Sequence, residues 1–154
     1  MKIITINEYK PDKKLKTLLQ QRKAPLSTEA MQKVLQELTA YMSEDLDFLI
    51  AAFLRPDVPE NTEIIAADIE KADIMIDAED QRYLPVFTAS EDFLRFKPEM
   101  KKDEKLLLCK KKDLLDFLNL NEKVAAAVIN PMNDDLILYR VNLRNMIQVE
   151  KFKD

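Results

Sequence analysis

Not one of the 154 residues is glycine. A chain that must turn without glycine has to place Asn or Asp where the backbone needs a positive φ, since these tolerate the left-handed region best among the other residues. The same absence removes whole classes of chemistry. A P-loop, a dinucleotide-binding fingerprint and a GxSxG nucleophile elbow each need a backbone approach that a Cβ blocks. Histidine is also missing, and there is one cysteine. That leaves no Ser-His-Asp or Cys-His machinery, no histidine-containing zinc site and no internal disulfide. Carboxylate and lysine chemistry stay open.

The apolar pattern sets out the elements. Leu15, Leu18 and Leu19 predict a short helix over Asp12–Arg22 within a Lys-rich segment, residues 1–26. Ser27 offers an N-cap to a longer helix whose apolar face is Met31, Val34, Leu35, Leu38 and Met42. Phe48–Leu54 either continues that helix or forms a buried strand stopped by Pro56; periodicity does not separate the two, and the strand is the reading adopted. Asp57–Thr62 reads as a loop. The alternation over Ala72–Ala78 reads as one half-buried strand, turning at Glu79–Gln81 into a hairpin with Tyr83–Phe87. Thr88-Ala-Ser-Glu91 has the form of a capping box opening a helix through Phe93, Leu94 and Phe96 that ends before Pro98. On that reading Thr88→Ala costs about 1 kcal/mol and Thr88→Asp is tolerated. Lys105–Cys109 is a further strand. Leu114, Phe117 and Leu118 mark a helix that Asn119 or Asn121 caps in place of glycine.

Val124–Ile129 is continuously apolar, as a central strand buried on both faces would be. An Asn130-Pro131 corner and the turn Met132–Asp135 lead to a returning strand, Leu136–Val141, and a terminal segment, Leu143–Val149. With no repeat and no linker, 154 residues make one α+β domain over residues 27–149, a mixed β-sheet with helices packed on it, followed by a tail, residues 150–154.

Two stretches carry a family likeness: Tyr83–Phe96, YLPVFTASEDFLRF, and Val124–Tyr139, VAAAVINPMNDDLILY. Their order resembles the N-terminal domain of the SseB family of bacterial proteins, named for enhanced serine sensitivity. Leu84–Ala89 matches the family's strand-to-helix turn, and Ile129-Asn130-Pro131 its corner before a hairpin. The likeness runs roughly from Thr28 to Ile147, the size of one domain. Family members commonly place Gly in the turns, unlike this chain, and longer members carry a second domain for which this sequence leaves no length. The resemblance implies a cytoplasmic α+β domain with no assigned activity and no catalytic residues to carry over.

Each candidate site has a plainer reading beside the functional one. Thr88, Ser90, Asn130 and Pro131 stand at strand ends, where open sheets bind ligands, and they are the binding candidates; capping and corner-turning also account for them. Cys109, followed by Lys110–Lys112, is either an activated thiol or a small buried residue. The acidic positions Asp68, Glu70, Asp73, Asp77, Glu79 and Asp80 match no calcium-loop spacing and read as a solvated face. Asp134 and Asp135 read as turn formers. Lys97, Lys101, Lys102, Lys105 and Lys110–Lys112 form a basic segment that suits phosphate or an acidic partner, with solubilising residues flanking a strand as the reading adopted, and Phe87, Phe93, Phe96 and Phe117 read as core.

The formal charge of −4 disfavours nucleic acid as a partner. No apolar run approaches the roughly 20 residues that span a bilayer, and the N-terminus lacks a signal-peptide pattern, so no membrane association and a cytoplasmic location are expected. The expectation is a non-enzymatic accessory or protein-interaction module of SseB type, with no cofactor, no metal and an unidentified protein partner. The competing classes are a small-molecule sensor or carboxylate/lysine enzyme acting at the strand ends, and a homo-oligomeric structural protein.

Overall fold

The computed structural model describes residues 1–59 and 62–152. Among these residues eight strands and five helices follow in the order β1 (Lys2–Ile3), α1 (Lys13–Arg22), α2 (Thr28–Met42), β2 (Phe48–Leu54), β3 (Ile69–Ala72), β4 (Met75–Ile76), β5 (Arg82–Val86), α3 (Ser90–Phe96), β6 (Glu104–Cys109), α4 (Lys111–Leu120), β7 (Ala126–Ile129), β8 (Leu136–Tyr139) and α5 (Arg140–Lys151). The fold is α+β.

The strands divide into two four-stranded sheets, ordered β1-β6-β2-β3 and β4-β5-β7-β8. The first is antiparallel throughout. The second is mixed, because β5 and β7 run parallel. A parallel pair needs a long crossover, and here it contains α3, β6 and α4. Leu49 and Phe87 join the sheets by exchanging two backbone hydrogen bonds of 2.9 Å.

Most of the apolar spacing becomes burial. Phe48–Leu54 is a strand, the centre of the first sheet, and both its faces are covered. Phe48, Ile50 and Ala52 face the main core, which gathers the inner faces of both sheets with Leu15, Leu18 and Leu19 of α1 and Leu114, Phe117 and Leu118 of α4. Leu49 and Ala51 face a second core that Ile4, Tyr9, Phe87 and Phe93 complete. Burying side chains of this size stabilises by about 1.5–3 kcal/mol each. Phe87 meets Phe93 edge-on with ring centroids 5.3 Å apart, and Phe117 is buried as expected. Ser27 caps α2 through Ala30 N–H, and Asp12 caps α1 through Leu15 N–H. Asn121 ends α4, its side-chain amide donating to Phe117 O at 2.8 Å.

Several expectations are corrected. The capping box at Thr88 does not form. Ala89 is the N-cap of α3 and makes no side-chain cap, because both polar groups of Thr88 are held by Asn130, while Glu91 turns outward to Lys16 at 3.1 Å. Ala72–Ala78 is not one strand: β3 and β4 belong to different sheets, and Asp73 leaves the break to pair with Lys97 at 2.6 Å. The returning strand stops at Tyr139, where α5 begins, so the terminal segment is a helix with Leu143 and Met146 buried. On α2 only Leu38 and Met42 are buried, and Leu35 is exposed. The Lys-rich segment contributes β1 and α1 to the fold and Met1, Leu15, Leu18 and Leu19 to the core. Lys111 is no solubilising residue: it is buried, and its ammonium donates to Glu44 O and pairs with Glu150 at 3.2 Å. The predicted loop Asp57–Thr62 lies partly outside the described residues.

Candidate functional site

Two places in the fold could serve a ligand: the carboxyl ends of the parallel strands β5 and β7, and a cleft beside β1. At the first, the structure brings Thr88 and Asn130 into contact and sets Ser90 at the first position of α3 and Pro131 in the β7–β8 turn. Asn130 stands at φ +48° just after β7, and its backbone N–H donates to Val86 O at the end of β5. Its carbonyl accepts from Asn133, Asp134 and Asp135, which closes the turn. Its side chain is fully used. Oδ1 accepts Thr88 N–H at 2.9 Å, and Nδ2 donates to Thr88 Oγ1 at 2.8 Å and to Asp134 Oδ2 at 2.7 Å. A primary amide has two N–H donors, and both are spent here.

The network continues outward. Asp134 pairs with Lys23 at 3.0 Å, and Arg22 donates to Asp134 O at 2.8 Å, so the end of α1 is tied to the turn. Lys23 also donates to Asn133 Oδ1, and Asn133 Nδ2 donates to Asp92 Oδ1 on α3. No buried side-chain nitrogen or oxygen among the described residues lacks a hydrogen-bond partner. A buried polar group is costly unless it is paired, and here the pairing is internal. Chemically, the cluster works as a clasp joining α1, α3, β5 and the β7–β8 turn.

The second place is a cleft of about 1240 Å³. Leu54, Pro56, Val58 and Ile3 supply apolar wall, and Arg55, Lys105, Lys110, Asp47, Asp103 and Asp113 supply charge. The carboxylates of Asp45 and Asp47 hold Lys110 at 2.9 and 2.6 Å. Burial works against its charged form, but those two hydrogen bonds outweigh it and raise its pKa. Cys109 lines the cleft yet is buried. Desolvation, with Asp113 beside it, pushes the thiol well above its ordinary range, and Sγ donates to Phe48 O at 3.5 Å. A thiol held protonated is a poor nucleophile, so the plainer reading of Cys109 holds. Lys97 is likewise committed: hydrogen bonds from its ammonium to Asp73 and Glu104, at 2.6 and 2.8 Å, overcome its burial and raise its pKa.

Three of the acidic positions, Asp68, Asp73 and Asp77, make side-chain contacts that serve local structure. Asp77 accepts from Gln81 N–H, Glu79 N–H and Tyr83 Oη, which holds its carboxyl below the ordinary value. Among the described residues no group of three or more Cys, Asp or Glu side chains is placed to hold a metal ion, and no helix is long and apolar enough to cross a membrane. Sequence reasoning singled out Lys105, Cys109 and Lys110 but not the cleft they line, because β1, which borders it, is two residues long, too short for any periodicity. The one available signal was the apolar set Ile3, Ile4 and Ile6 so close to the N-terminus.

No family model matches the chain, and neither a curated protein nor a solved structure matches it significantly.

Proposed function

We propose that the protein is a non-catalytic interaction module that docks a partner protein in the cleft beside β1. The observation that carries this reading is the character of the cleft. At about 1240 Å³ it exceeds the roughly 300–1,000 Å³ of a small-molecule pocket. Two of its ionisable groups are held away from neutrality, Lys110 in its charged form by Asp45 and Asp47 and the Cys109 thiol in its protonated form by burial, whereas acid–base and nucleophilic chemistry draw on groups poised near neutrality. An open cleft with apolar wall and charge of both signs suits a polypeptide surface. The likeness of Leu84–Ala89 and Ile129–Pro131 to the SseB family supports the same class, a bacterial cytoplasmic accessory domain.

The test is affinity capture of the tagged chain from lysate of its native host. It is run beside the double charge reversal Arg55→Glu with Lys105→Glu, both exposed positions of the cleft, and the distant control Glu37→Lys. The expected result is one near-stoichiometric protein that the wild type and control retain and the double variant loses. Equal capture by all three chains, or none by the wild type, would overturn the proposal.

A further inference from the structure

The edge of the first sheet beside the cleft is half filled. In an antiparallel pair, residues alternate between those that bond across the ladder and those whose N–H and C=O point away from it. Ile4 N–H donates to Leu106 O at 3.0 Å, and Ile3 lies opposite Leu107. Lys2 and Ile4 therefore bond toward β6, and Met1 and Ile3 present their backbone groups outward. Met1 uses them: its nitrogen donates to Ile64 O at 2.7 Å, and its carbonyl accepts Ile64 N–H at 2.8 Å. Ile64 thus acts as a one-residue outer strand. At Ile3 no described residue continues it, and none donates to or accepts from the outward N–H and C=O of Ile3.

Two concavities meet at that residue. On β6 the large cleft is lined by Lys105, Leu108 and Cys109, and a smaller groove of about 380 Å³ by Glu104, Lys105 and Leu106, so Cys109 and Leu106 carry the two concavities to opposite faces of the strand. The groove is walled by Ile6, Leu94, Pro98 and Met100, and both concavities are lined by Ile3 and Lys105. Lys105 makes no ion pair among the described residues, unlike Lys97 and Lys110 on either side of it.

We propose that the outer edge of β1 at Ile3 is a strand-addition site for an extended segment of a partner protein. The segment bonds its backbone to Ile3, drops apolar side chains into the Leu94–Met100 groove and places an acidic side chain at Lys105. A strand added to a sheet edge sends alternate side chains to opposite faces, so flanking pockets on both faces are what such a ligand requires. The acidic side chain follows from the unmatched ammonium of Lys105, which lines both pockets. The inference rests on the docking reading above and names the chemistry of the docked segment.

Random dodecapeptides displayed on phage are panned against the intact chain, and selected peptides are titrated by fluorescence anisotropy. The expected sequences alternate apolar with polar residues and carry an acidic one. Ile3→Pro removes only the outward N–H, leaving the bonds of Lys2 and Ile4 to β6, and proline is compatible with such an edge position. It should weaken binding about tenfold, while Ile3→Val stays within about threefold. Methylating the backbone nitrogen of alternate peptide residues, one at a time, should abolish binding at the position that pairs with Ile3. That series uses the wild-type chain, so it decides the question even if Ile3→Pro proves unfolded by circular dichroism. Binding that survives every backbone methylation overturns strand addition. So does a failure to select any peptide, and if the lysate partner is still captured in a cleft-dependent way, the docking reading survives alone.

Discussion

At the scale of single residues, Thr88 and Asn130 show how a local motif loses to a distant partner. Thr88 has the sequence context of a cap, but its hydroxyl and amide face the Asn130 side chain, which lies 42 positions along the chain. Thr88→Ala leaves one N–H of that buried amide without an acceptor and should cost about 1–2 kcal/mol. Thr88→Asp should cost more than Thr88→Ala, because a second buried carboxylate would crowd Asp134 around the same Nδ2. Urea denaturation of both variants separates this from a capping role, in which Asp would be tolerated. Turns without glycine give a second residue-level test. Asp80, Asp103, Asn130, Met132 and Asp135 all have positive φ. Met132, at φ +69° and exposed, has no side-chain reason to be there, so Met132→Gly should stabilise by about 0.5–1 kcal/mol in thermal unfolding. Asp135→Gly should bring no such gain, since Asp135 Oδ1 accepts Met132 N–H at 2.7 Å.

At the scale of elements, the helices of the N-terminal hairpin share one carboxylate. Asp12 caps α1 through Leu15 N–H at 3.0 Å and accepts the hydroxyl of Tyr41 on α2 at 2.6 Å. Asp12→Ala should cost about 1–2 kcal/mol and Tyr41→Phe about 1 kcal/mol. The double variant should fall short of the sum, and a denaturation cycle of the four chains measures that coupling. This element pair was largely legible, since Leu15, Leu18, Leu19 and Ser27 state a helix, a stop and a second start. The break between β3 and β4 was not. Alternation over Ala72–Ala78 describes an extended chain equally well whether it stays in one sheet or passes between two. At the break Asp73 pairs with Lys97, while Ala72 and Ile74 on either side pack against the main core. The clasp at Asn130 was half legible: the positions stood out as strand ends, but their mutual hydrogen bonds link segments that no sequence window contains.

At the scale of the molecule, the ionisable groups predict a lopsided response to pH. With no histidine, no side chain ordinarily titrates between about pH 6 and 8, and side-chain ionisation should leave stability flat there. Above that range several folded-state values lie higher than their unfolded counterparts. Desolvation, together with nearby carboxylates, raises Cys109 from 9.0. The Asp12 hydrogen bond, with some burial, raises Tyr41 from 10.0 to about 12. Tyr9 is raised from 10.0 by burial and by Asp47. A group whose folded pKa is raised contributes stability that is complete below its unfolded value and lost as pH rises through the folded one. Stability should therefore start to fall near pH 9, the unfolded cysteine value, and keep falling through the tyrosine window toward pH 12. Urea midpoints from pH 7 to 11 measure this. Cys109→Ala should flatten the first part of the fall, and Tyr41→Phe the later part.

The sequence by itself determined the α+β class, the buried runs Phe48–Leu54 and Val124–Ile129, and the first four helices with most of their ends. These follow from apolar spacing and caps, whose physics acts over a few residues. Tertiary structure alone decided that the strands form two sheets joined at Leu49 and Phe87, and that Thr88 and Asn130 close on each other. It also decided that the strand edge at Ile3 opens between two concavities. Each of these joins residues distant along the chain, where the favourable partner is set by packing and hydrogen-bond geometry in space and leaves no periodic mark in the order of residues.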